Sequence, residues 1–183
     1  MDTIWRRILA GQLTPLLEAA RTVQTGDLGS LNKLREHGSR EEVSAVLCIW
    51  DARRRAEGRL EDAHRWWLTG EALQQATRSS VARHKAHRIR RVCGESPVID
   101  LCCGIGSDAT ALSLGGPVVM VDRNPLHLAL ARANVAAAGG RGWAVEADVR
   151  SLPLSPLPSH IDPDRRLDGR RRHSYPQMLP GPD

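Results

Sequence analysis

The first 92 residues of the chain carry apolar side chains at the spacing of amphipathic helices. One helical face is indicated by apolar residues at every fourth position, namely Trp5, Leu9, Leu13 and Leu17. Ser39 stands three residues before Glu42, which is the pattern of a capping box at a helix start. A last helix is expected after Thr69 and ends near Gly94. The pattern predicts an N-terminal helical region over residues 1–92.

From Pro97 onwards, short β-branched runs alternate with helices of small residues. Strands are predicted at residues 98–101, 118–122 and 143–146, with a weaker fourth strand at 160–162. This alternation is typical of a parallel sheet with right-handed crossovers. We therefore predict an α/β fold in which residues 93–165 form a four-stranded parallel sheet, followed by a loop or disordered tail over residues 166–183.

Composition and charge exclude several classes of protein. The formal charge of +5 in 183 residues permits an anionic partner without requiring one. Nearly all basic residues are arginines, which we interpret as a codon bias, and the only lysines are Lys33 and Lys85. The four cysteines lack CxxC or zinc-finger spacing, so we expect neither disulfides nor a bound metal. Without a signal-peptide core or an apolar run long enough to span a membrane, the sequence predicts a cytoplasmic protein.

Aspartates recur at corresponding places after the predicted strands: Asp100, Asp122, Asp148 and Asp162. Ligands of parallel α/β sheets bind outside the carboxyl ends of the strands, where the following turns meet. Gly104 and Gly106 lie in the first of these turns, and glycine lets the backbone approach a ligand closely. The regular placement predicts a cofactor site along this edge of the sheet.

The acidity of the first turn separates two classes of cofactor. With Ala109, the two glycines satisfy the G-x-G-x-x-A pattern of dinucleotide-binding proteins. A dinucleotide places its pyrophosphate on the helix N-terminus, where Asp100 and Asp108 would repel it. S-adenosylmethionine has no phosphate and carries cationic groups, so an acidic strand end favours it. Asp122 is then placed to accept hydrogen bonds from the ribose hydroxyls, and Asp148 from the adenine amino group.

Sequence blocks in this region resemble motifs one to four of the class I, Rossmann-like S-adenosylmethionine-dependent methyltransferases. The blocks are VIDLCCGIGSDA, VVMVDRNPLHLALARANVAAAG, EADV and HIDPDRR. Together with LQQATRSSVARHKAHR, they are similar to the bacterial methyltransferases that carry a THUMP-like C-terminal domain, relatives of the trimethylguanosine-synthase group. The resemblance covers roughly residues 66–175.

The resemblance implies a methyltransferase whose S-adenosylmethionine is bound by Asp100, Gly104, Gly106, Asp122 and Asp148. It puts Asp162 and Pro163 at the motif-four position, which faces the methyl acceptor. Asp162 is therefore the candidate catalytic residue, and RNA is the acceptor class that the resemblance suggests.

The sequence departs from this family at two points. Ser107 stands where the family often has a further glycine, and a serine there would still cap the helix. The family's sheet has seven strands, whereas this chain ends just after the fourth and has no THUMP-like domain. We therefore expect a C-terminally truncated methyltransferase whose open sheet edge would be completed by a partner or by a missing C-terminal half.

The sequence is also compatible with two other functions. A non-catalytic fragment would keep the fold and act as a binding or interaction module, and an oxidoreductase would require NADH to bind beside Asp100. Asp162 with Pro163 is also ordinary turn chemistry. Cys102 and Cys103 are expected to be small buried side chains rather than nucleophiles. The basic residues from Arg78 to Arg91 fit a solvated helix better than an RNA-binding one.

Overall fold

The computed structural model describes residues 2–23, 28–153, 156–162, 166–167 and 170–171. It divides into two compact units, one over residues 1–74 and one over residues 75–183. No helix in the described part of the chain combines the length and the apolar composition needed to cross a membrane.

The N-terminal unit is built from helices. They are α1 (Thr3–Leu9), α2 (Thr14–Ala19), α3 (Leu28–Arg35) and α4 (Arg40–Ala56), with α5 (Gly70–Gln75) at the boundary between the units. Short 3₁₀ turns lie at Ala20–Thr22 and Ala63–Arg65. Gly11 has a φ of 76°, so the fourfold apolar repeat predicted as one helical face is divided between α1 and α2.

The longest helix of this unit, α4, supplies much of its core. The predicted capping box is confirmed, because Ser39 Oγ accepts from the Glu42 backbone N–H and Glu42 Oε2 accepts from the Ser39 backbone N–H. The apolar face of α4 packs into one buried cluster with α1, α2 and α3, which includes Ile8, Leu16, Leu34, Val46 and Ile49. The unit is therefore held together by helix packing around α4.

The second unit contains a parallel sheet in the order β3-β2-β1-β4. The strands are β1 (Val98–Leu101), β2 (Val118–Asp122), β3 (Gly142–Glu146) and β4 (Ser159–Ile161). Parallel pairing joins β1 to β2 and β4, and β2 to β3. The predicted α/β fold is confirmed. The weak fourth strand is one residue earlier than predicted, so Asp162 follows the strand instead of ending it.

Three helices cover one face of this sheet: α6 (Ser79–Cys93), α7 (Ser107–Ser113) and α8 (Pro125–Ala137). Their apolar side chains form a buried cluster with Val98, Val118 and Met120 of the central strands. The neighbouring strand positions point to the opposite face, where Trp143 and Val145 of β3 are 60% and 40% exposed. The core of the unit therefore lies between the three helices and the sheet.

Helix α6 belongs with the sheet, although the sequence assigned it to an N-terminal helical region that ends at residue 92. The physical reason is Arg90, whose guanidinium donates five hydrogen bonds to backbone carbonyls before β1, at the end of α7 and before β2. The acceptors are Gly94, Ser96, Leu112, Gly116 and Pro117, at 2.6–3.1 Å. These bonds fasten the end of α6 to the amino edge of the sheet.

The end of the described chain holds one short antiparallel pair. Residues Arg166–Leu167, named β5, pair with Arg170–Arg171, named β6. The remaining residues of the predicted tail, together with Pro163, lie outside the described part of the chain.

Candidate functional site

The turn after β1 has an unusual backbone. Cys102, Gly104 and Gly106 have φ values of 61°, 55° and 79°, so three of five consecutive residues are left-handed. The Cys103 backbone N–H donates to the Val121 carbonyl at 3.0 Å, and the Gly106 N–H donates to the Cys103 carbonyl at 2.9 Å. Cys102 is a non-glycine residue in this conformation, which costs free energy and is enriched at binding and catalytic sites.

The two predicted cofactor glycines have different surroundings. A Cβ added to Gly104 would meet nothing within 4 Å, so the backbone there borders open space. A Cβ added to Gly106 would lie 2.9 Å from both Cα and Cβ of Ala131 in α8. The buried Asn134 of α8 also donates to the Ile105 carbonyl at 2.9 Å. Gly106 is therefore required by the close packing of α8 on the turn, whereas Gly104 leaves room for a ligand.

Asp122 ends β2 beside this turn. Its Oδ2 accepts from the Gly104 N–H and its Oδ1 accepts from the Asn124 N–H, both at 2.9 Å. A carboxylate offers about four acceptor positions. One position on each oxygen is therefore left for a ligand, and the two backbone bonds hold the carboxylate in place.

Asp148 follows β3 and is paired with Arg150. Its oxygens accept from the Arg150 backbone N–H, from Nε, and from Nη2 at 2.5 Å. The Arg150 side-chain and backbone hydrogen bonds lower the pKa of Asp148 to about 2. Because Arg150 contacts both oxygens, it competes with an adenine amino group for the Asp148 carboxylate.

Asp100 is buried in the centre of the sheet, with a relative exposure of 2%. Its Oδ2 has no hydrogen-bond partner among the described residues. Burial raises the pKa of Asp100 to about 7, and the neighbouring His160, which pairs with Asp100 in the β1–β4 register, opposes this shift. A buried, unpartnered carboxyl oxygen costs stability, which is typical of groups that are kept for a ligand.

A group of polar and charged side chains surrounds Lys85 of α6, and we name it the Lys85 cluster; its members are Thr77, Lys85, Asp108, His160 and Asp162. Lys85 Nζ donates to Asp108 Oδ2 at 2.9 Å and to Asp162 Oδ2 at 2.8 Å. Asp108 Oδ2 also accepts from Thr77 Oγ1 at 3.0 Å. His160 Nε2 lies 3.5 Å from the same oxygen. The cluster joins α6, the start of α7 and the end of β4.

The pKa shifts within the cluster favour its charged forms. Burial raises the pKa of Asp108, but His160 and Lys85 outweigh this effect and the net pKa is lowered. Burial lowers the pKa of Lys85, but its bonds to Asp162 and Asp108 outweigh this effect and the net pKa is raised. The Asp108 carboxylate raises the pKa of His160 against the opposing effect of burial. The net shifts of Asp108, Lys85 and His160 therefore each favour the charged form.

The same cluster contains donors that fit a metal ion. Ligand atoms of Asp108, His160 and Asp162 lie within 4.8 Å of one another. The Lys85 ammonium already binds the two carboxylates, so a divalent ion would have to compete with it. No metal site was predicted from the sequence, and the arrangement favours the ammonium as the cation that binds the two carboxylates.

The structure brings some predicted site residues together and adds others. Gly104 and Asp122 are joined directly, whereas Asp162 binds Lys85, which was not among the predicted site residues. Lys85 had one overlooked signal, since it is one of two lysines in an arginine-rich chain. Thr77 and His160 carried no comparable signal, because threonine and histidine are common in ordinary helices and strands.

The cysteines of the turn are neutral thiols. Burial raises the pKa of Cys102 to about 11, and burial raises the pKa of Cys103 further. A nucleophilic cysteine needs a lowered pKa. The expectation that neither residue is a nucleophile therefore agrees with their surroundings.

The chain is similar to two curated proteins and to solved methyltransferase structures. No protein-family model matches it. Two uncharacterized S-adenosylmethionine-dependent methyltransferases, from the CDC 1551 and H37Rv strains of Mycobacterium tuberculosis, are each 41% identical to it over 136 residues. The match covers 70% of this chain and 37% of each relative. The chain thus spans little more than a third of the relatives' length.

A solved structure from Porphyromonas gingivalis W83, named as a methyltransferase, has a similar fold. The TM-score is 0.59 at 18% sequence identity, and the match covers 79% of this chain and 35% of the other. The four-stranded parallel sheet with its flanking helices is therefore a Rossmann-like fold of the kind found in methyltransferases. The sequence relatives support the resemblance to S-adenosylmethionine-dependent methyltransferases.

Proposed function

We propose that residues 75–162 form the cofactor-binding part of an S-adenosylmethionine-dependent methyltransferase. The observation that carries the proposal is the Asp122 carboxylate, which two backbone N–H groups hold beside the glycine turn. Its remaining acceptor positions suit the two adjacent hydroxyls of a ribose. The similarity to the mycobacterial methyltransferases supports the same cofactor.

The residues of this edge fit S-adenosylmethionine in charge and in shape. Gly104 borders open space, and Asp100 presents a buried oxygen that lacks a partner among the described residues. Both features suit a ligand that brings a hydrogen-bond donor and a positive charge. Asp148 becomes a third contact, to the adenine amino group, if Arg150 moves away. Gly106 contributes indirectly, because its packing against Ala131 sets the shape of the turn.

The mechanism is one of alignment. When bound, S-adenosylmethionine supplies an activated methyl group for in-line displacement by a nucleophile. The chain's own residues hold the reactants in position and keep water away from them. Asp162, directly after β4, is proposed to orient the acceptor through hydrogen bonds from its nucleophilic group. None of these residues needs to form a covalent intermediate.

RNA is the acceptor class that we infer from the sequence resemblance, together with a cytoplasmic location. One structural feature supports an anionic acceptor. Exposed basic side chains recur on one face of α6 at His84, His87, Arg88 and Arg91. We name them the basic stripe. Lys85 and Arg90 do not belong to it, because they bind within the protein.

Binding to S-adenosylhomocysteine, measured by isothermal titration calorimetry, tests the cofactor proposal. We expect the chain to bind it and Asp122→Ala to weaken binding by about 10- to 100-fold, since two hydrogen bonds to a charged group are lost. Glu95→Ala is the control, because Glu95 is an exposed acid on the opposite edge of the sheet. Circular dichroism checks that both variants fold. Equal affinity of Asp122→Ala and the parent chain, or no binding by either, would contradict the proposal.

A second candidate is a binding module without catalytic activity. The observation in its favour is that the carboxylates of Asp148 and Asp162 are already bound by Arg150 and Lys85. Transfer of a labelled methyl group to total bacterial RNA distinguishes the two functions. Transfer that depends on Asp122 and falls in the Arg88→Ala/Arg91→Ala variant supports an RNA methyltransferase. Cofactor binding without transfer to RNA, protein or small-molecule pools supports the binding module.

A further inference from the structure

Lys85 joins two carboxylates that come from distant parts of the chain. Asp108 lies in the first turn of α7, 23 residues after Lys85, and Asp162 follows β4, 77 residues after it. Both oxygens lie within 3 Å of the same ammonium nitrogen. Such short contacts are charge-assisted hydrogen bonds, which are shorter and stronger than neutral ones.

The two carboxylates are not equivalent. The Asp108 side chain is 8% exposed and also accepts from Thr77, so it is held on two sides. The Asp162 side chain is 37% exposed, and among the described residues Lys85 is its hydrogen-bond partner. Asp108 is therefore the fixed end of the bridge, and Asp162 is the end whose position depends on the lysine.

We propose that Lys85 is a positioning residue that holds Asp162 at the carboxyl end of β4, with Asp108 as its buried anchor. The ammonium binds Asp162 through Oδ2, which leaves Oδ1 to contact an acceptor. It also offsets the repulsion between two carboxylates that share one small volume. That Asp162 contacts the methyl acceptor rests on the proposed function, whereas the bridge itself does not.

Lysine reactivity tests the bridge directly, because the chain has only two lysines. Lys33 is exposed and serves as the internal control. Limited acetylation by an N-hydroxysuccinimide ester, followed by peptide mass spectrometry, gives the rate at each lysine. We expect Lys85 to react several-fold more slowly than Lys33, since an ammonium bound by two carboxylates is rarely deprotonated. Asp162→Asn and Asp108→Asn should each accelerate Lys85 and leave Lys33 unchanged.

Asp148→Asn is the matched control for these variants, because Asp148 pairs with Arg150 outside the cluster. A Lys85 rate that is the same in the parent chain, Asp162→Asn and Asp108→Asn would overturn the bridge. Faster acetylation of Lys85 in Asp108→Asn alone would also overturn the proposal, since it would mean that Lys85 does not bind Asp162. Asp162→Asn is expected to fold, because Asp162 is the more exposed partner; thermal unfolding checks this.

The functional consequence has its own readout. In the methyl-transfer assay with total RNA, Lys85→Met should lower kcat by about tenfold or more, while the KM for S-adenosylmethionine stays within about twofold. Lys85→Arg should restore part of kcat, because a guanidinium can also bind two carboxylates. Lys33→Met is the control. An unchanged kcat in Lys85→Met would overturn the positioning role, whereas failure of S-adenosylhomocysteine to bind the parent chain would remove the proposed function and leave the lysine bridge standing.

Discussion

The parallel strands begin at one edge of the sheet, the amino edge, and end at the other, the carboxyl edge. Buried polar groups are hydrogen-bonded at the first edge and partly unpaired at the second. At the amino edge, the five N–H donors of Arg90 meet five backbone carbonyls. At the carboxyl edge, the buried atoms without a hydrogen-bond partner among the described residues include Asp100 Oδ2, Ser107 Oγ and Asp108 Oδ1. Helix α6 reaches both edges, with Lys85 at one and Arg90 at the other.

We interpret the paired amino edge as stabilising the fold and the partly unpaired carboxyl edge as binding a ligand. A buried polar group without a partner destabilises the fold by about 1 to 3 kcal/mol, so most are paired. The amino edge follows that rule, and its glycines leave room for the guanidinium: a Cβ at Gly116 would lie 2.6 Å from Arg90 Nη1. The carboxyl edge departs from it where the proposed cofactor and acceptor would bind. Departures of this kind are expected at functional sites.

The largest loss of stability is expected from Gly106→Ala. This variant tests whether Gly106, at the carboxyl edge, is needed for packing against α8 and not for contact with a ligand. Its Cβ would overlap the backbone of Ala131 at a φ of 79°. We expect a loss of about 2 to 4 kcal/mol in the free energy of unfolding, measured with urea. The control is Gly139→Ala, with a similar φ of 77° and open space around it, which should lose only about 1 kcal/mol. Equal losses would mean that close packing of α8 is not the reason for this glycine.

Removal of the Arg90 side chain tests the stabilising role of the amino edge. Arg90→Ala deletes five charge-assisted bonds and should lower the free energy of unfolding by about 2 to 3 kcal/mol. Arg91→Ala, in the exposed neighbouring position, should change it by less than about 0.5 kcal/mol. Binding of S-adenosylhomocysteine by the folded Arg90→Ala protein should be unchanged. A smaller loss in Arg90→Ala than in Arg91→Ala would contradict the comparison of the two edges.

Unlike the two preceding variants, Asp100→Asn should raise the free energy of unfolding at alkaline pH. The pKa of Asp100 is about 7 in the folded chain and about 3.8 without burial, so the folded state binds a proton that the unfolded state lacks between these values. Stability therefore falls as the pH rises through this window. Near pH 8 the variant should be more stable than the parent chain by about 1 to 3 kcal/mol, with a smaller difference near pH 5.

The same substitution should weaken S-adenosylhomocysteine binding, which would show that the buried oxygen is kept for a ligand at a cost in stability. Urea unfolding at both pH values and calorimetry measure the two effects. Glu95→Gln is the control, since this exposed acid should change neither. If Asp100→Asn is less stable than the parent chain near pH 8, the buried Asp100 carboxylate does not destabilise the fold.

The smallest effect is expected at Asp148, a half-buried member of the carboxyl edge. Arg150→Ala removes the guanidinium that lowers the pKa of Asp148 to about 2, so this pKa should rise toward 3.8. Carboxyl carbon NMR during an acid titration measures the shift. Arg123→Ala should raise the pKa less, because Arg123 is the weakest contributor. A larger rise in Arg123→Ala would show that the Arg150 pair does not control Asp148.

Much of the fold could be predicted from local sequence. Apolar runs indicated β1 and β2 at their observed residues, and Ser39 with Glu42 indicated the start of α4. These features depend on neighbouring residues, because strand burial and helix capping are short-range effects. The aspartates after the strands were predictable for the same reason, since parallel strands bring their carboxyl ends to one edge.

The sequence by itself determined the elements and the acidic edge of the sheet, and only the tertiary structure decided what each polar side chain does there. Lys85 and Arg90 lie five residues apart in one basic helix, yet the first binds Asp162 and the second binds carbonyls at the other edge. Likewise, Gly104 borders open space whereas Gly106 packs on Ala131. These roles depend on contacts between residues up to 77 positions apart, which local patterns of polarity do not encode.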